Sequence, residues 1–260
     1  MGERIAGTGR TPRRIGHKGA DAIRIGNTLD SFNAAVGAGV DMIELDVLRP
    51  RADFINPDYW SRAPAGRVER PGGPLLVAHD WGDAKRRLAL TLEVVLDAFT
   101  RPPLDAVQVD LDLKIAGRED EVVAALRERN LVERAAVSTM ETGSLLEIQR
   151  LEPQLRSGWT VPRTTRDWPS MWWARPLVIG GLISLRRRLP NAVRDDAPGL
   201  GVTSVWAYHS VITDGLVRAC HETGLRLIAW TVDDLGTMRR LAELGVDGIC
   251  SNDPRLFAEL

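Results

Sequence analysis

The sequence predicts an α/β fold in which eight parallel strands, joined by helices, close into a barrel. Three observations predict it. Short apolar strand-like runs alternate with helical segments over nearly the whole chain. The length, 260 residues with 44% hydrophobic content, suits one large α/β domain. Charges on the strands stand two residues apart, so several carboxylates point to one side of the same sheet.

Arg14-Ile15-Gly16 reads as the first strand, ending at His17-Lys18-Gly19. Asn27-Thr28 is an N-cap pair before LDSFNAAVGAG, and that helix stops at Gly37 and Gly39. The strand VDMIELDV follows at the spacing of a right-handed βαβ crossover. Residues 49–74 are rich in Arg, Pro and Gly, show neither helical nor strand period, and read as an inserted loop. PLLVAHD is a strand joined to its predecessor without a helix, which predicts an antiparallel excursion after strand 2. Helix TLEVVLDAF then leads into AVQVDLDLKI, and helices and strands alternate to the end of the chain. Parallel strands at 14–16, 41–47, 107–114, 135–139, 156–161, 202–208, 225–232 and 246–251 make eight, the pattern of a TIM (β/α)8 barrel. Residues 1–260 are expected to form this single domain, with inserted loops at 49–74 and 163–200.

The segment 163–200 is too long for an ordinary crossover. MWWARPLVIGGLISL lies between Trp168, Trp172 and Trp173 on one side and Arg186, Arg187 and Arg188 on the other. Aromatic residues beside an apolar run and a basic cluster fit a peripheral membrane contact through 168–188. A barrel helix packed under an extra loop explains the same residues without a membrane.

Composition excludes several classes. The net charge of −1 offers no basic field for nucleic acid. Cys220 and Cys250 fit no metal or redox spacing, the N-terminal stretch lacks an apolar core, and no uncharged apolar run reaches about 18 residues. A cytoplasmic protein with reduced thiols is expected.

In such a barrel the chemistry gathers at the C-terminal ends of the strands. That rim would collect His17, Glu44 and Asp46 from IELDV, His79, Asp112, Lys114 and Trp230. Taken alone, Glu44 and Asp46 also fit a strand with one solvent face. With Asp112 they make a set of hard oxygen donors, which suits Mg²⁺ or Ca²⁺ better than zinc. A hard cation beside Lys114 is a site for a phosphate ester, and two histidines can divide the proton transfers between them. His209 reads as a loop residue, His221 as structural or exposed, and Asn252 and Asp253 as a turn or helix cap.

The stretches GHKG, GNTLDSF, GVDMIELDV, LLVAHD, DLK, AWTVDD and GVDGICSNDP, in this order, resemble the glycerophosphodiester phosphodiesterase family over nearly the whole chain. The resemblance implies a (β/α)8 barrel, Mg²⁺ or Ca²⁺, and hydrolysis of a small phosphodiester to an alcohol and glycerol 3-phosphate. It implies His17 and His79 as the acid/base pair, Glu44, Asp46 and Asp112 as metal ligands, and Lys18, Lys114 and Trp230 as substrate contacts. By the same analogy His17 is the base or nucleophile and His79 the acid.

Three positions depart from the family pattern. Lys18 stands for the usual Arg, Gly26 for the usual Glu before Asn-Thr, and Asp112 for Glu in Glu-x-Lys. The Asp-x-Lys pair also occurs in sphingomyelinase D-like phospholipases, so phospholipase D-like activity on lysophospholipid or sphingomyelin is the alternative. A non-catalytic binding barrel is the alternative from another class, and retention of both histidines and all three carboxylates argues against it.

Overall fold

The computed structural model describes residues 11–50, 73–87, 89–163 and 175–260. The parallel strands are β1 (Arg13–Gly16), β2 (Met42–Leu48), β5 (Gln108–Leu113), β6 (Ala135–Thr139), β7 (Arg156–Val161), β8 (Ser204–Tyr208), β9 (Arg226–Trp230) and β10 (Gly248–Ser251). They pair in the order β1-β10-β9-β8-β7-β6-β5-β2, and β1 pairs again with β2, which closes the barrel. The two short strands β3 (Leu76–Val77) and β4 (Leu90–Thr91) form the excursion, and β3 lies antiparallel on the C-terminal half of β2. Between them lies the short helix α2 (Trp81–Arg86), N-capped by Asp80, so the segment after His79 holds a helix but no sizeable insertion.

Alternation along each strand sorts the side chains. On β2, Ile43, Leu45 and Val47 join a core of buried residues shared with Phe32 of α1 (Leu29–Gly37) and Leu92, Val95 and Leu96 of α3 (Leu92–Ala98). Met42 belongs instead to a separate interior cluster with Ile15, Ala136, Trp206, Ile228 and Cys250. Apolar side chains on the outer face thus pack against helices, and the opposite face fills the barrel. The interior is tight around Trp206, where a Cβ on Gly158 would stand 2.5 Å from the indole. Glu44 and Asp46 share the inward face with Met42, and both are buried.

The crossover helices that follow are α4 (Glu119–Glu128), α5 (Thr142–Leu151), α6 (Arg175–Leu200), α7 (Asp214–Glu222) and α8 (Leu235–Leu244). The second half of the expected 163–200 loop is therefore helical. Pro190 and Pro198 lie inside α6 and oppose helix on local grounds. Leu189, Val193 and Ala197, four residues apart on one face, are buried in the core that also holds Leu216 and Val217 of α7, and this burial outweighs the local penalty. Trp168, Trp172 and Trp173 and most of the expected 49–74 loop lie outside the described residues. Among the described residues no helix is long and apolar enough to cross a membrane.

Candidate active site

The strand ends on one side of the barrel bring the expected polar residues together. β2 and β5 run in register, pairing Glu44 with Asp110 and Asp46 with Asp112. Single carboxylate oxygens of Glu44, Asp46 and Asp112 all lie within 4.8 Å of one another. Lys114 enters the same group: its Nζ is 2.6 Å from Asp46 Oδ1 and donates to Asp112 Oδ2. One ammonium thus meets two of three carboxylates.

The third feels the imbalance. Burial, with the Asp46 charge beside it, pushes the Glu44 carboxyl up to about 8. Burial also acts on Asp46, but Lys114 and Lys18, with smaller contributions from His79 and His17, more than reverse it and hold Asp46 below the usual carboxylate range. Lys114 would lose its proton more easily through burial alone, and Asp112, Asp46 and Glu44 raise it well above its ordinary value. The donor set is oxygen only, anionic and compact, and it has one carboxylate more than its own cation satisfies. These residues fit a hard divalent ion.

The loop after β1 supplies the rest of this side. Lys18 and Asn27 both adopt left-handed backbone, with φ of 52° and 59°. Non-glycine residues take up such conformations where surrounding contacts hold them. Here the Lys18 amide donates to Glu44 Oε2 at 2.9 Å, and the Asn27 amide donates to the Lys18 carbonyl at 3.0 Å. The buried Asn27 side chain donates through Nδ2 to Asp46 Oδ2 at 2.7 Å and accepts from the Asp46 amide at 3.1 Å. Thr28 caps α1 by accepting from the Ser31 amide, so the expected cap pair divides its duties. Gly26 is required by the same loop, because a Cβ there would lie 2.7 Å from both Asp21 Oδ1 and Lys18 Cβ.

His17 sits above Glu44, with Nε2 3.9 Å from Glu44 Oε2. Its Nδ1 is 2.6 Å from Asn252 Oδ1. Asn252 in turn donates through Nδ2 to Asp233 Oδ2 at 2.7 Å and through its amide to Asp233 Oδ1 at 2.8 Å. Asp233 accepts only, so it turns the Asn252 oxygen toward His17. An accepting oxygen at Nδ1 places the proton there and leaves the Nε2 lone pair free, an assignment that follows from the network. Burial, aided by the Lys18 charge, lowers the His17 pKa, which favours the neutral ring. Asn252 therefore does more than turn the chain; Asp253 next to it does cap the final 3-10 turn by accepting from the Arg255 amide.

His79 lies at the end of the excursion with its side chain 52% exposed, and its Nδ1 is 3.4 Å from Asp80 Oδ2. Trp230 ends β9 and meets Tyr208 edge to face with ring centroids 5.6 Å apart. Its indole N–H is buried without an acceptor among the described residues. Asn27, Asn252 and Asp233 are the supporting residues that sequence reading missed. The signal for Asn252 was its place directly after the last strand, which ends beside β1 in a closed barrel.

The chain matches the sequence profile of the Glycerophosphoryl diester phosphodiesterase family over residues 17–50 and 106–256. A glycerophosphodiester phosphodiesterase of Caldanaerobacter subterraneus subsp. tengcongensis is 26% identical over 260 residues, covering 95% of this chain and 96% of the relative. The fold is similar to that of a glycerophosphodiester phosphodiesterase from Agrobacterium tumefaciens, with a TM-score of 0.66, 18% identity, and 96% of this chain and 100% of that chain covered. It is also similar to an Oleispira antarctica phosphodiesterase solved in complex with the product sn-glycerol-3-phosphate, with a TM-score of 0.61, 21% identity and coverage of 95% and 96%. With a barrel of this order, an acidic cluster and a histidine at its C-terminal rim, and a profile match spanning both halves of the barrel, the chain belongs to the glycerophosphoryl diester phosphodiesterase family of phosphoric diester hydrolases.

Proposed function

We propose that this protein hydrolyses small glycerophosphodiesters to an alcohol and glycerol 3-phosphate, with His17 and His79 as the acid/base pair and a divalent ion held by Glu44, Asp46 and Asp112. The observation that carries the reading is the union, at one barrel end, of this carboxylate triad with Lys114 and an oriented histidine. It accords with the product bound by the Oleispira relative.

The ion, Mg²⁺ or Ca²⁺, would neutralise the non-bridging phosphate oxygens and polarise phosphorus when bound. Lys114 adds a second positive contact to the phosphate, and Lys18 adds positive potential on the His17 side. His17, neutral and with Nε2 free, takes the proton of the nucleophile, either water, which gives glycerol 3-phosphate directly, or the substrate's own 2-hydroxyl, which gives a cyclic phosphate that water then opens to glycerol 3-phosphate. His79, on the solvent-facing side, returns a proton to the departing alkoxide. Asn252 and Asp233 keep His17 in the tautomer this needs. Trp230 and Tyr208 form an aromatic wall that lines the substrate.

The test is hydrolysis of glycerophosphocholine by the purified chain with Mg²⁺, with Ca²⁺ and with EDTA. Turnover should require one of the ions, and His17→Ala should lose on the order of a hundredfold or more. Equal turnover by wild type and His17→Ala overturns the assignment.

A second reading, lipid-borne diesters met at a membrane surface, draws on α6, where Ile183 is 45% exposed close to Arg186, Arg187 and Arg188. Sedimentation with anionic vesicles should then carry down wild type but not Ile183→Asp. The free, buried Cys220 and Cys250 accord with a cytoplasmic setting.

A further inference from the structure

The opposite end of the barrel carries charge that the phosphodiesterase site does not use. Arg13, Gln108, Arg156 and Arg226 are the first residues of β1, β5, β7 and β9. In the order of parallel strands around the barrel these are strands one, three, five and seven. Alternate strands of such a barrel contribute one layer of four inward side chains, usually branched and apolar. Here that layer is three arginines and a glutamine.

The layer opens into a cavity of about 840 Å³ at the N-terminal ends of the strands, with Met42, Ala136, Trp206 and Ile228 along its apolar floor. Arg13 and Arg156 share one acceptor, Gln108 Oε1, at 2.6 and 2.9 Å. Arg156 also donates to the carbonyls of Ala135 and Glu133. Arg226 has no side-chain acceptor among the described residues. None of the three has a carboxylate within ion-pair distance among those residues. Of the acidic groups on the cavity wall, Asp41 pairs with Arg14 at 2.8 Å, Asp247 lies 3.0 Å from His221, and Glu243 is the third. Burial lowers the pKa of Arg13 and Arg156, and the neighbouring arginines lower both further, against smaller opposing effects of Asp41 on Arg13 and Asp110 on Arg156. The cluster repels itself, and a bound anion would relieve that.

We propose that the N-terminal end of the barrel is a second anion site that takes a phosphomonoester dianion carrying an apolar group. Guanidinium forks match phosphate oxygens in pairs, and a tetrahedral dianion can accept from several directions where a planar carboxylate accepts mainly in one plane. The cavity is larger than a bare phosphate needs and lies in the range of organic ligand sites, so the apolar floor receives the remainder of the molecule.

Phenyl phosphate is the probe, titrated calorimetrically into the full metal-free chain in EDTA at low salt, after the melting curve of each variant has been compared with wild type. Wild type and Lys114→Ala should bind alike, because Lys114 belongs to the other end. Arg226→Gln and Arg156→Gln should each weaken binding by about tenfold, the loss expected for one charge-assisted contact. Arg226 is exposed and donates to no backbone carbonyl among the described residues, so its replacement leaves the fold intact even if Arg156→Gln does not. No binding by wild type overturns the proposal, as does binding that Lys114→Ala abolishes and Arg226→Gln leaves unchanged. Equal affinity for inorganic phosphate overturns the apolar half of it.

Discussion

Glu44 ties the chemistry of the site to pH. In the metal-free protein its carboxyl is raised from 4.5 to about 8 by burial and by Asp46, against the opposing charge of Lys114. Between those two values the folded chain keeps a proton that the unfolded chain has released, so folding is favoured at the acid end and loses that contribution as pH climbs through about 8. The melting temperature of the metal-free protein should therefore fall between pH 5 and pH 8. Glu44→Gln should flatten that slope, although buried Asp110, whose carboxyl is also raised by burial, keeps part of it. The same variant should abolish metal-dependent turnover. In wild type, ion affinity should rise with pH over the same window, because binding must displace the Glu44 proton. Calorimetric titration of Mg²⁺ or Ca²⁺ at pH 6 and pH 8 reads this directly. Asn252→Ala removes the acceptor that holds the His17 tautomer, and kcat should fall about ten- to hundredfold with KM little changed. Glu44, Asp46 and Asp112 were legible from their two-residue spacing. Asn27 and Asn252 were not, because a side chain that orients another leaves no spacing of its own.

At the scale of elements, local signals and packing disagree in two places. The stretch 175–200 reads as part of an inserted loop or as a barrel helix beneath one, and although Pro190 and Pro198 oppose helix locally, α6 forms because Leu189, Val193 and Ala197 bury one stripe against the barrel helices. Leu189→Ala should cost about 2–4 kcal/mol in denaturant unfolding, since it leaves a cavity in that seam. The second place is the loop between β1 and α1. Gly26 stands where the family pattern has Glu, and no side chain fits there while Lys18 and Asp21 keep their positions. Gly26→Glu should therefore disturb the loop, lowering both the melting temperature and turnover. Gly158 is a second glycine position decided by a neighbour's bulk. Gly158→Ala drives a methyl into the Trp206 indole and should cost about 1–3 kcal/mol.

The whole molecule is a barrel with two chemically different ends. The C-terminal rim gathers carboxylates, lysine and histidine from β1, β2, β5 and the excursion, and the N-terminal end gathers three arginines. Between them the apolar interior of Ile15, Met42, Ala136, Trp206, Ile228 and Cys250 separates the two charge groups. Because the folded rim alone assembles the triad, an ion that binds it should stabilise the fold by about 2.7 kcal/mol at a hundred times its dissociation constant. A melting-temperature increase with Mg²⁺ or Ca²⁺ that disappears in Asp46→Asn would check this.

The sequence by itself determined the strand count, the excursion after strand 2, and which side of β2 and β5 carries charge. These follow from periodicity and turn chemistry, which act over a few residues. Tertiary structure alone decided that Asn252 reaches His17 from the far end of the chain and that Leu189, Val193 and Ala197 of α6 are buried against the neighbouring helix. It also brought together Arg13, Arg156 and Arg226 from three separate strands. Each depends on distant segments being packed together, and barrel closure places residues up to 235 positions apart within hydrogen-bond distance.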